Sequence, residues 1–536
     1  MNGTKFINSL VAAFLLCPTI VFSETIAFVD VNVVPLDNPG ILTDQTVIVK
    51  NGRIAQIGNS QDKELSSSVR VIDGNGGYLM PGLIDMHMHL VGTREYNDPE
   101  QLLFFLAQGI TTVRVLGAPP VALEWREQIE VGELLGPTIY AMGPTLIGNV
   151  DDSNGLGSVV LGMNIARVGI PMAFALVVVF AAKRFRSWRM AFVAGVSGLI
   201  LGVGFVLGEL PPLNMLNPLF DSPQAHVFED RTEPVRETIA DYALKGYDGV
   251  KLYDGLTVAQ FLMAVTEAKH QGLYTTGHLL HHVPLDIQLS AGLREVAHVD
   301  EFLSHHWIGY NLGRNPDPRH AESYDYPINR SGISKTASLV KKNEVAVVSN
   351  MSTDEALYRL LLDLEGTLAE ERFNEYRQDY VQGWKTSGRH LGPFAGQGKY
   401  RRDVIQPFLS ALINALHDEG VPIMIGTDSG GFAPEGSIPS DIHRELELLV
   451  DAELSNFEAL TAGTRIAGNV LSQMTGDEEY GTIEIGKKAD LILLYSNPLE
   501  NVSATRQRVG VMANGIWFSQ QDLSKLVDDY TSARKW

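Results

Sequence analysis

Cysteine is nearly missing from this sequence of 536 residues, since Cys17 is the single one. It lies in an apolar leader, so the rest of the chain has no thiol for a disulfide or a thiolate metal site. Basic residues are also scarce relative to acidic ones, and the formal net charge is −21. A chain this acidic lacks the basic footprint of a nucleic-acid-binding protein. We therefore predict no nucleic-acid partner.

The leader FINSLVAAFLLCPTIVFS follows Lys5 and is uncharged from Phe6 to Phe22. A short cationic start, an apolar core and a small residue before the first acidic residue are typical of a secretory signal peptide. We predict that residues 1–23 form such a peptide, and an uncleaved N-terminal anchor is the alternative. Export would place the mature chain in an oxidising compartment, which a chain without cysteine tolerates.

A second apolar region, at residues 157–208, interrupts the middle of the chain. Its uncharged arms, 168–182 and 190–208, flank a turn with four basic residues, Lys183, Arg184, Arg186 and Arg189. As a helix the second arm would be about 28 Å long, close to one hydrocarbon thickness. We predict an inserted transmembrane helical hairpin with its basic turn in the cytoplasm, and a buried core hairpin is the alternative. The expected localisation is the cell membrane, with the surrounding domain on the extracytoplasmic (periplasmic) side.

Strand-like patterns occur at both ends of the chain. Apolar and polar residues alternate around a KNGR turn near the N-terminus, and a similar register returns in GTIEIGKKADLILL and VGVMANGIWF. Such alternation and such turns predict antiparallel hairpins. We assign residues 24–80 and 480–520 to one small β-sandwich domain built from both termini.

Between these ends, apolar strand patterns alternate with helical ones. The eight candidate strands are 83–89, 110–116, 138–142, 249–253, 274–278, 295–298, 345–350 and 422–427. Helices are predicted after most of them, for example at 257–271, 404–419 and 441–449. The alternation predicts an α/β fold with a (β/α)8 TIM barrel over residues 81–479, whose active site lies where the strands end. The hairpin falls in the loop after the third strand, on the catalytic face.

Residues that can bind a metal lie at the ends of these strands. PGLIDMHMHL places His87 and His89 on one strand face with Asp85, with Met86 and Met88 on the opposite face. Later strands end in DGVKLY, TTGH, VAH and IMIGTDSG, with the candidate ligands Lys251, His278, His298 and Asp428. One strand-end histidine is more often packed or capped, whereas six candidates in one barrel favour a metal site. Nitrogen and oxygen ligands without sulfur suit Zn²⁺ or a similar divalent ion.

The sequence resembles the amidohydrolase superfamily, in its imidazolonepropionase-like and prolidase-like branch. The matching stretches include PGLIDMHMH, GITTVRVLG, GPTIYAMGP, GVKLY, VAHVDEFL, IGTDSG and GTIEIGKKADLILL. The resemblance implies two divalent metal ions, Zn²⁺ by preference. His87, His89 and Asp428 would hold one ion, and His278 and His298 the other. Lys251 would be carboxylated by CO₂ and bridge both ions, which turns a costly buried cation into an anionic ligand.

By this resemblance we expect a membrane-attached, outward-facing binuclear amidohydrolase. It would cleave a non-peptide or dipeptide-like amide C–N bond by a metal-bridging hydroxide, with Asp428 passing the proton to the leaving group. The alternatives are a mononuclear imidazolonepropionase-like or deaminase-like hydrolase and a non-catalytic membrane-anchored binding protein. Lys251 argues against the first, and the complete ligand set against the second. The hairpin is either a tether alone or a device that brings the site to an amphiphilic N-acyl substrate.

Several other polar residues match no required position of the pattern. Tyr253 shares the strand face of Lys251, where it either reaches the pocket or only packs. Five further histidines are predicted at the surface or at the rim of the substrate site, namely His281, His282, His305, His306 and His443.

Overall fold

The computed structural model describes residues 25–60, 65–90, 99–148, 225–228, 231–308, 327–370, 381, 384–385, 391, 394–430, 438–477 and 479–533. The predicted signal peptide, 1–23, and the predicted hairpin, 157–208, lie outside the described residues. Both therefore stay predictions. Within the described ranges, no helix combines the length and the apolar character needed to cross a membrane.

One sheet combines strands from both ends of the chain. Its strands are β1 (Thr25–Val33), β2 (Leu42–Lys50), β3 (Arg53–Asn59), β4 (Arg70–Asp73), β5 (Tyr78–Pro81), β16 (Leu491–Leu494), β17 (Arg508–Ala513) and β18 (Ile516–Ser519). They lie in the order β18-β17-β16-β5-β1-β2-β3, with β4 beside β1. The antiparallel pairing of β5 with β16, in which Leu79 lies opposite Leu493, joins the two ends directly.

This sheet curls around its own apolar core. Phe28 of β1 and Trp517 of β18 make an edge-to-face ring contact at 5.1 Å, although β17, β16 and β5 lie between their strands in the sheet. Buried side chains from both halves, including Val47 and Leu491, belong to the same cluster. The domain boundaries given above stay predictions, but strands from both termini do share one core.

Eight parallel strands form a closed ring in the middle of the chain. They are β6 (Leu83–Met88), β7 (Ile110–Val115), β8 (Thr138–Ala141), β11 (Gly249–Leu252), β12 (Tyr274–Gly277), β13 (Glu295–Val296), β14 (Ala346–Val348) and β15 (Ile423–Met424). Bridges between Met142 and Gly249 and between Met88 and Ser429 join the two hydrogen-bonded groups of strands. All eight fall in the predicted segments. The α/β fold is thus confirmed, and the ring is consistent with the predicted (β/α)8 barrel.

Two further strands flank the part of the chain that contains the predicted hairpin. These are β9 (Thr145–Gly148) and β10 (Ala225–Phe228), which pair in parallel. β9 also pairs with β11 through Leu146 and Leu252. The chain therefore leaves and re-enters the described fold on neighbouring strands beside the barrel.

The helices of the described ranges pack mainly around the ring. They are α1 (Leu102–Ala107), α2 (Val121–Glu130), α3 (Glu233–Lys245), α4 (Val258–Gln271), α5 (Leu285–Ser290), α6 (Ile333–Lys342), α7 (Met351–Leu362), α8 (Leu364–Leu368), α9 (Gly398–Tyr400), α10 (Gln406–Asp418), α11 (Asp441–Asp451), α12 (Asn456–Ala462), α13 (Arg465–Thr475) and α14 (Gln520–Ala533). Short 3-10 segments occur at Pro99–Gln101, Val299–His305, Arg330–Gly332 and Val502–Arg506, and a π-helical turn at Arg401–Ile405.

The bounds of these helices follow from local sequence signals. Thr257 and Gln260 form a reciprocal capping box at the start of α4, and Gly272 ends it in the left-handed conformation. The helices predicted at 257–271, 404–419 and 441–449 are thus found as α4, α10 and α11. Helix α14 was not predicted. It contacts α1, where Phe104 and Tyr530 stack edge to face at 5.6 Å.

Candidate metal centre

The first part of the candidate site lies where β6 and β15 end. His87 and His89 bring their Nε2 atoms to 3.2 Å from each other. Both face Asp428, whose Oδ1 lies 3.1 Å from Nε2 of His87 and 2.9 Å from Nε2 of His89. Across the described residues, these three make the one group of at least three His, Cys, Asp or Glu ligand atoms within 4.8 Å of each other. Two imidazoles and a carboxylate suit a divalent ion with open positions.

The backbone of the loop after β15 sets the position of Asp428. Asp428 adopts a left-handed φ of 51° and donates its backbone N–H to the carbonyl of His87 at 2.7 Å. Two residues earlier, a Cβ at Gly426 would lie 2.7 Å from the Cβ of His87. Glycine at this position therefore lets the two strand ends approach closely enough for the ligands to meet.

Asp85 holds the loop that carries Asp428. The Asp85 carboxylate accepts hydrogen bonds from the Thr427 hydroxyl at 2.6 Å and from the backbone N–H of His87 at 3.1 Å. The predicted strict alternation of side chains along β6 is wrong in part. The pairing of β6 with β7 shifts between Asp85 and Met88. Because of this irregularity, Met86 and Met88 belong to different core clusters instead of sharing one face. Asp85 thus orients the ligand loop.

The second group of predicted ligands lies beside the first. The His298 ring is 4.3 Å from the His87 ring and 5.0 Å from the His278 ring, centroid to centroid. Nδ1 of His278 lies 3.1 Å from the Glu301 carboxylate, which also accepts the backbone N–H of Leu279 at 3.0 Å. A buried carboxylate behind an imidazole fixes the ring and its tautomer. Glu301 was not predicted, although it follows His298 by three residues in AHVDEF.

Lys251 is only 1% exposed, and its Nζ has no hydrogen-bond partner among the described residues. Burial lowers the pKa of this ammonium to about 8, although the carboxylates of Asp428, Glu301 and Glu295 oppose the shift. An ammonium in such a place is costly unless it is paired or chemically changed. A lowered pKa raises the fraction of the neutral amine, which is the form of a lysine that can combine with CO₂ to give a carbamate.

The protonation states suit metal binding at neutral pH. Burial lowers the pKa of His87 to about 4 and that of His298 well below its ordinary value. Burial raises the pKa of Asp428, but the adjacent His87 and His89 outweigh this effect and hold the pKa well below its ordinary value. Neutral imidazoles and an ionised carboxylate are the forms that bind metal ions.

The barrel interior beneath the site is closed by a buried ion pair. Arg114 of β7 and Glu295 of β13 are both fully buried and bind through two hydrogen bonds, one of them 2.7 Å from Nη1 to Oε2. Nε of Arg114 also donates to the carbonyl of Met86 at 2.8 Å, and the Thr276 hydroxyl donates to Glu295 at 2.7 Å. This pair was not predicted from the sequence.

The remaining polar residues singled out in the sequence are Tyr253 and five histidines. The Tyr253 ring lies 4.0 Å from the His278 ring, so this tyrosine does reach the site. His306 and His443 were predicted at the surface or the rim, and this is wrong, because both are buried. His306 contacts the Asn329 carbonyl and the Thr336 hydroxyl, and His443 contacts Thr505 and Arg508. His281 is buried as well, beside the partly exposed His282 at a ring distance of 5.8 Å, and His305 is partly exposed.

Known proteins resemble this chain over short stretches of sequence and over most of the fold. The imidazolonepropionase of Idiomarina loihiensis is 50% identical over 52 residues, which cover 10% of this chain and 13% of that protein. The enamidase of Eubacterium barkeri is 30% identical over 83 residues, 15% of this chain and 21% of that protein. The chain thus matches only a small part of the length of these relatives.

Solved structures match at low sequence identity. A putative prolidase from Bifidobacterium longum has a TM-score of 0.59 at 20% identity and covers 95% of this chain and 99% of its own. The A. niger ochratoxinase has a TM-score of 0.56 at 18% identity over 93% and 95%. These likenesses establish the fold. The sequence profile described as Amidohydrolase family matches residues 176–517, more than half of the chain. This chain therefore belongs to the amidohydrolase family.

Proposed function

We propose that the protein is a metal-dependent hydrolase that cleaves an amide C–N bond. The observation that carries the proposal is the convergence of His87, His89 and Asp428 at the strand ends of the barrel, in the protonation states that ligands need. Membership of the amidohydrolase family supports it. The proteins that match short stretches of the sequence also support it, because they include an imidazolonepropionase, an enamidase and an adenine deaminase.

A two-metal site fits the residues better than a one-metal site. His278 and His298 would hold a second ion beside the first, and carboxylated Lys251 would supply the anionic bridge. The buried Lys251 ammonium, with no hydrogen bond among the described residues, is the support for this choice. When bound, the ions supply positive charge that activates water and polarises the scissile carbonyl. A mononuclear imidazolonepropionase-like enzyme is the alternative, since it has no need of this lysine.

The chain's own residues would hold the ions and move one proton. The Glu301 carboxylate keeps His278 oriented, and Ala297 does the same for His87 by its carbonyl, 3.1 Å from Nδ1. Asp428 is ionised and lies at the strand end, so it can take a proton from the attacking water and give it to the leaving amine. Tyr253 lies beside His278, so it would contact a substrate held at the metal centre.

Metal analysis of the purified protein together with one lysine variant tests this proposal. We expect about two divalent ions per chain in the wild type, and loss of activity in Lys251→Ala. Added acetate or propionate should restore part of that activity, because a small carboxylate can take the place of the carbamate. Lys269→Ala, at an exposed lysine of α4, is the control and should behave as wild type. A single tightly bound ion with full activity in Lys251→Ala would favour the mononuclear alternative.

We further propose that the enzyme is attached to the membrane and faces outward. The support is the sequence of residues 157–208, which lie in the chain between β9 and β10. A reporter that works only in the cytoplasm should be active at Ser187 and inactive at the C-terminus. The opposite pattern would refute both the hairpin and the signal peptide.

The proposed substrate is an amphiphilic N-acyl amine or N-acyl amino acid. A pocket held near a bilayer would meet such molecules at raised local concentration without any added contact. Glycine acylated with acetyl, octanoyl or tetradecanoyl groups gives a test series. We expect kcat/KM to rise with chain length in the membrane-bound enzyme and to level off when residues 157–208 are deleted. Equal values for all chain lengths in both forms would leave the hairpin as a tether alone.

A further inference from the structure

Asn350 occupies an unusual position directly after β14. Its backbone is left-handed, with φ 45° and ψ 30°, and its side chain is only 5% exposed. Neither Oδ1 nor Nδ2 of the carboxamide has a hydrogen-bond partner in the part of the chain that the structure describes. The side chain does not cap helix α7, which begins at the next residue. Buried polar groups are normally satisfied, so a buried carboxamide without a partner requires an explanation.

Neighbouring residues show where Asn350 lies in the barrel. Val347 belongs to the large core cluster between strands and helices, and the Ser349 hydroxyl donates to Glu445 of the outer helix α11. Val348 faces inward, because its Cγ1 lies 2.8 Å from the Cβ position of Gly426, next to His87. The chain continues past Val348, the last residue of β14, so Asn350 lies two residues beyond the strand, at its carboxyl end. In a parallel barrel this is the end that carries the catalytic face.

The turn that carries Asn350 is tied to the metal-ligand loop. Thr353, in the first turn of α7, donates its hydroxyl to the carbonyl of Thr427 at 3.3 Å. Thr427 immediately precedes Asp428, so the Asn350 turn and the Asp428 loop are direct neighbours at the same end of the barrel. The buried carboxamide therefore belongs to a turn that adjoins the loop of the metal ligand Asp428.

The fold does not need this carboxamide to hold the turn. Glu445 already binds the turn from outside through the Ser349 hydroxyl and the backbone N–H of Ser352. The left-handed backbone is open to glycine as well as to asparagine. Asn350 thus combines a left-handed backbone with a buried carboxamide that forms no hydrogen bond with the described residues, and neither feature stabilises the turn. Such departures from the usual rules are expected at functional positions.

We propose that Asn350 is a substrate-contacting residue that determines specificity by binding a neutral amide group of the substrate. A carboxamide offers one acceptor and two donors, so it can pair with both the C=O and the N–H of an amide. The inference rests on the proposed function, because the amide is that of the substrate cleaved at the neighbouring metal centre. It assigns to the end of the seventh strand a role that the metal ligands do not cover.

Glycine substitution tests this inference, because Asn350→Gly removes the carboxamide and keeps the left-handed backbone. Asn350→Asp keeps the shape and the acceptors but removes the two donors. Asn75→Gly is the matched control, since Asn75 also has a left-handed φ, 47°, in an exposed turn of the terminal sheet. The three variants and the wild type are compared by metal content, thermal midpoint, and kcat and KM on acetyl-, octanoyl- and tetradecanoylglycine.

We expect kcat/KM to fall about tenfold to a hundredfold in Asn350→Gly and in Asn350→Asp, the loss of one or two hydrogen bonds. Metal content should stay at the wild-type value, and the thermal midpoint of Asn350→Gly should equal or exceed it. Wild-type kcat/KM in Asn350→Gly, or a midpoint clearly below that of Asn75→Gly, overturns the inference. If the metal-loaded wild type cleaves no acylglycine, the proposed substrate is wrong; the thermal midpoint then still decides, because a drop shows a structural role.

Discussion

The buried ion pair of Arg114 and Glu295 permits a quantitative test of the barrel interior. Arg114→Met removes the cation and leaves the Glu295 carboxylate buried beside Lys251 without its bidentate partner. Glu295→Leu removes the anion and leaves the guanidinium, among the residues that the structure describes, with its hydrogen bond to the Met86 carbonyl alone. The double variant replaces both charged groups with apolar side chains of similar volume. Each single variant therefore leaves one buried charge without its ionic partner, whereas the double variant leaves no such charge.

The expected losses of the free energy of unfolding follow from the burial of both partners. Breaking a buried pair on one side costs about 3–5 kcal/mol, whereas replacing both partners by apolar residues is often near neutral. The lost hydrogen bonds to Met86 and Thr276 add about 1 kcal/mol each. We therefore expect each single variant to lose about 4–6 kcal/mol of the free energy of unfolding, and the double variant about 1–2 kcal/mol.

Urea unfolding of the four proteins, followed by intrinsic fluorescence, measures these differences. The coupling energy between the two sites, which is the sum of the two single losses less the loss in the double variant, should be about 6 kcal/mol or more. An exposed pair serves as control: Arg236→Met, which breaks the pair of Arg236 with Glu233, should change stability by less than about 1 kcal/mol. If the double variant loses the sum of the two single losses, the argument from buried charge is refuted.

Three further predictions concern pH and packing. Burial raises the pKa of Glu445 from 4.5 to about 7, so its contribution to stability is full below pH 4.5 and is lost as the pH rises to about 7. Glu445→Gln should therefore gain about 3 kcal/mol relative to wild type over that interval, measured as unfolding free energy against pH. Burial lowers the pKa of His443 well below its ordinary 6.5, so wild type should lose stability as the pH falls below about 6.5; an equally steep acid limb in His443→Gln would contradict this. Trp517→Ala should cost about 3–5 kcal/mol because it empties the core of the terminal sheet, whereas Ile516→Ala, at a side chain that is 42% exposed, should change the thermal midpoint little.

The ring of strands was predictable because its signals are local and repeated. Each strand is a short apolar run, and the residue types at the strand ends predict His87, His89 and Asp428 as candidate ligands. The structure brings these three together. Helix bounds such as those of α4 also follow from cap residues in the sequence, Thr257 and Gly272.

The features that the sequence did not predict depend on contacts between residues far apart in the chain. His443 was predicted at the surface or at the rim of the substrate site, but its partners, Thr505 and Arg508, come from the C-terminal segment more than sixty positions away. Arg114 and Glu295 are likewise 181 positions apart and become partners only when the ring closes. The irregular pairing inside β6 is a third case, since a register shift has no signature in the alternation itself.

The pairing of β5 with β16 has a consequence for biosynthesis. The ribosome makes β1 to β5 first and the whole barrel next, and only then β16 to β18, so the N-terminal strands wait for most of translation with one edge open. An open apolar edge is a site of mispairing between chains. A nascent chain that stops before residue 491 therefore carries every candidate ligand and still exposes the edge of β5. Synthesis of β16 to β18 is the step that covers this edge and removes the risk of mispairing between chains.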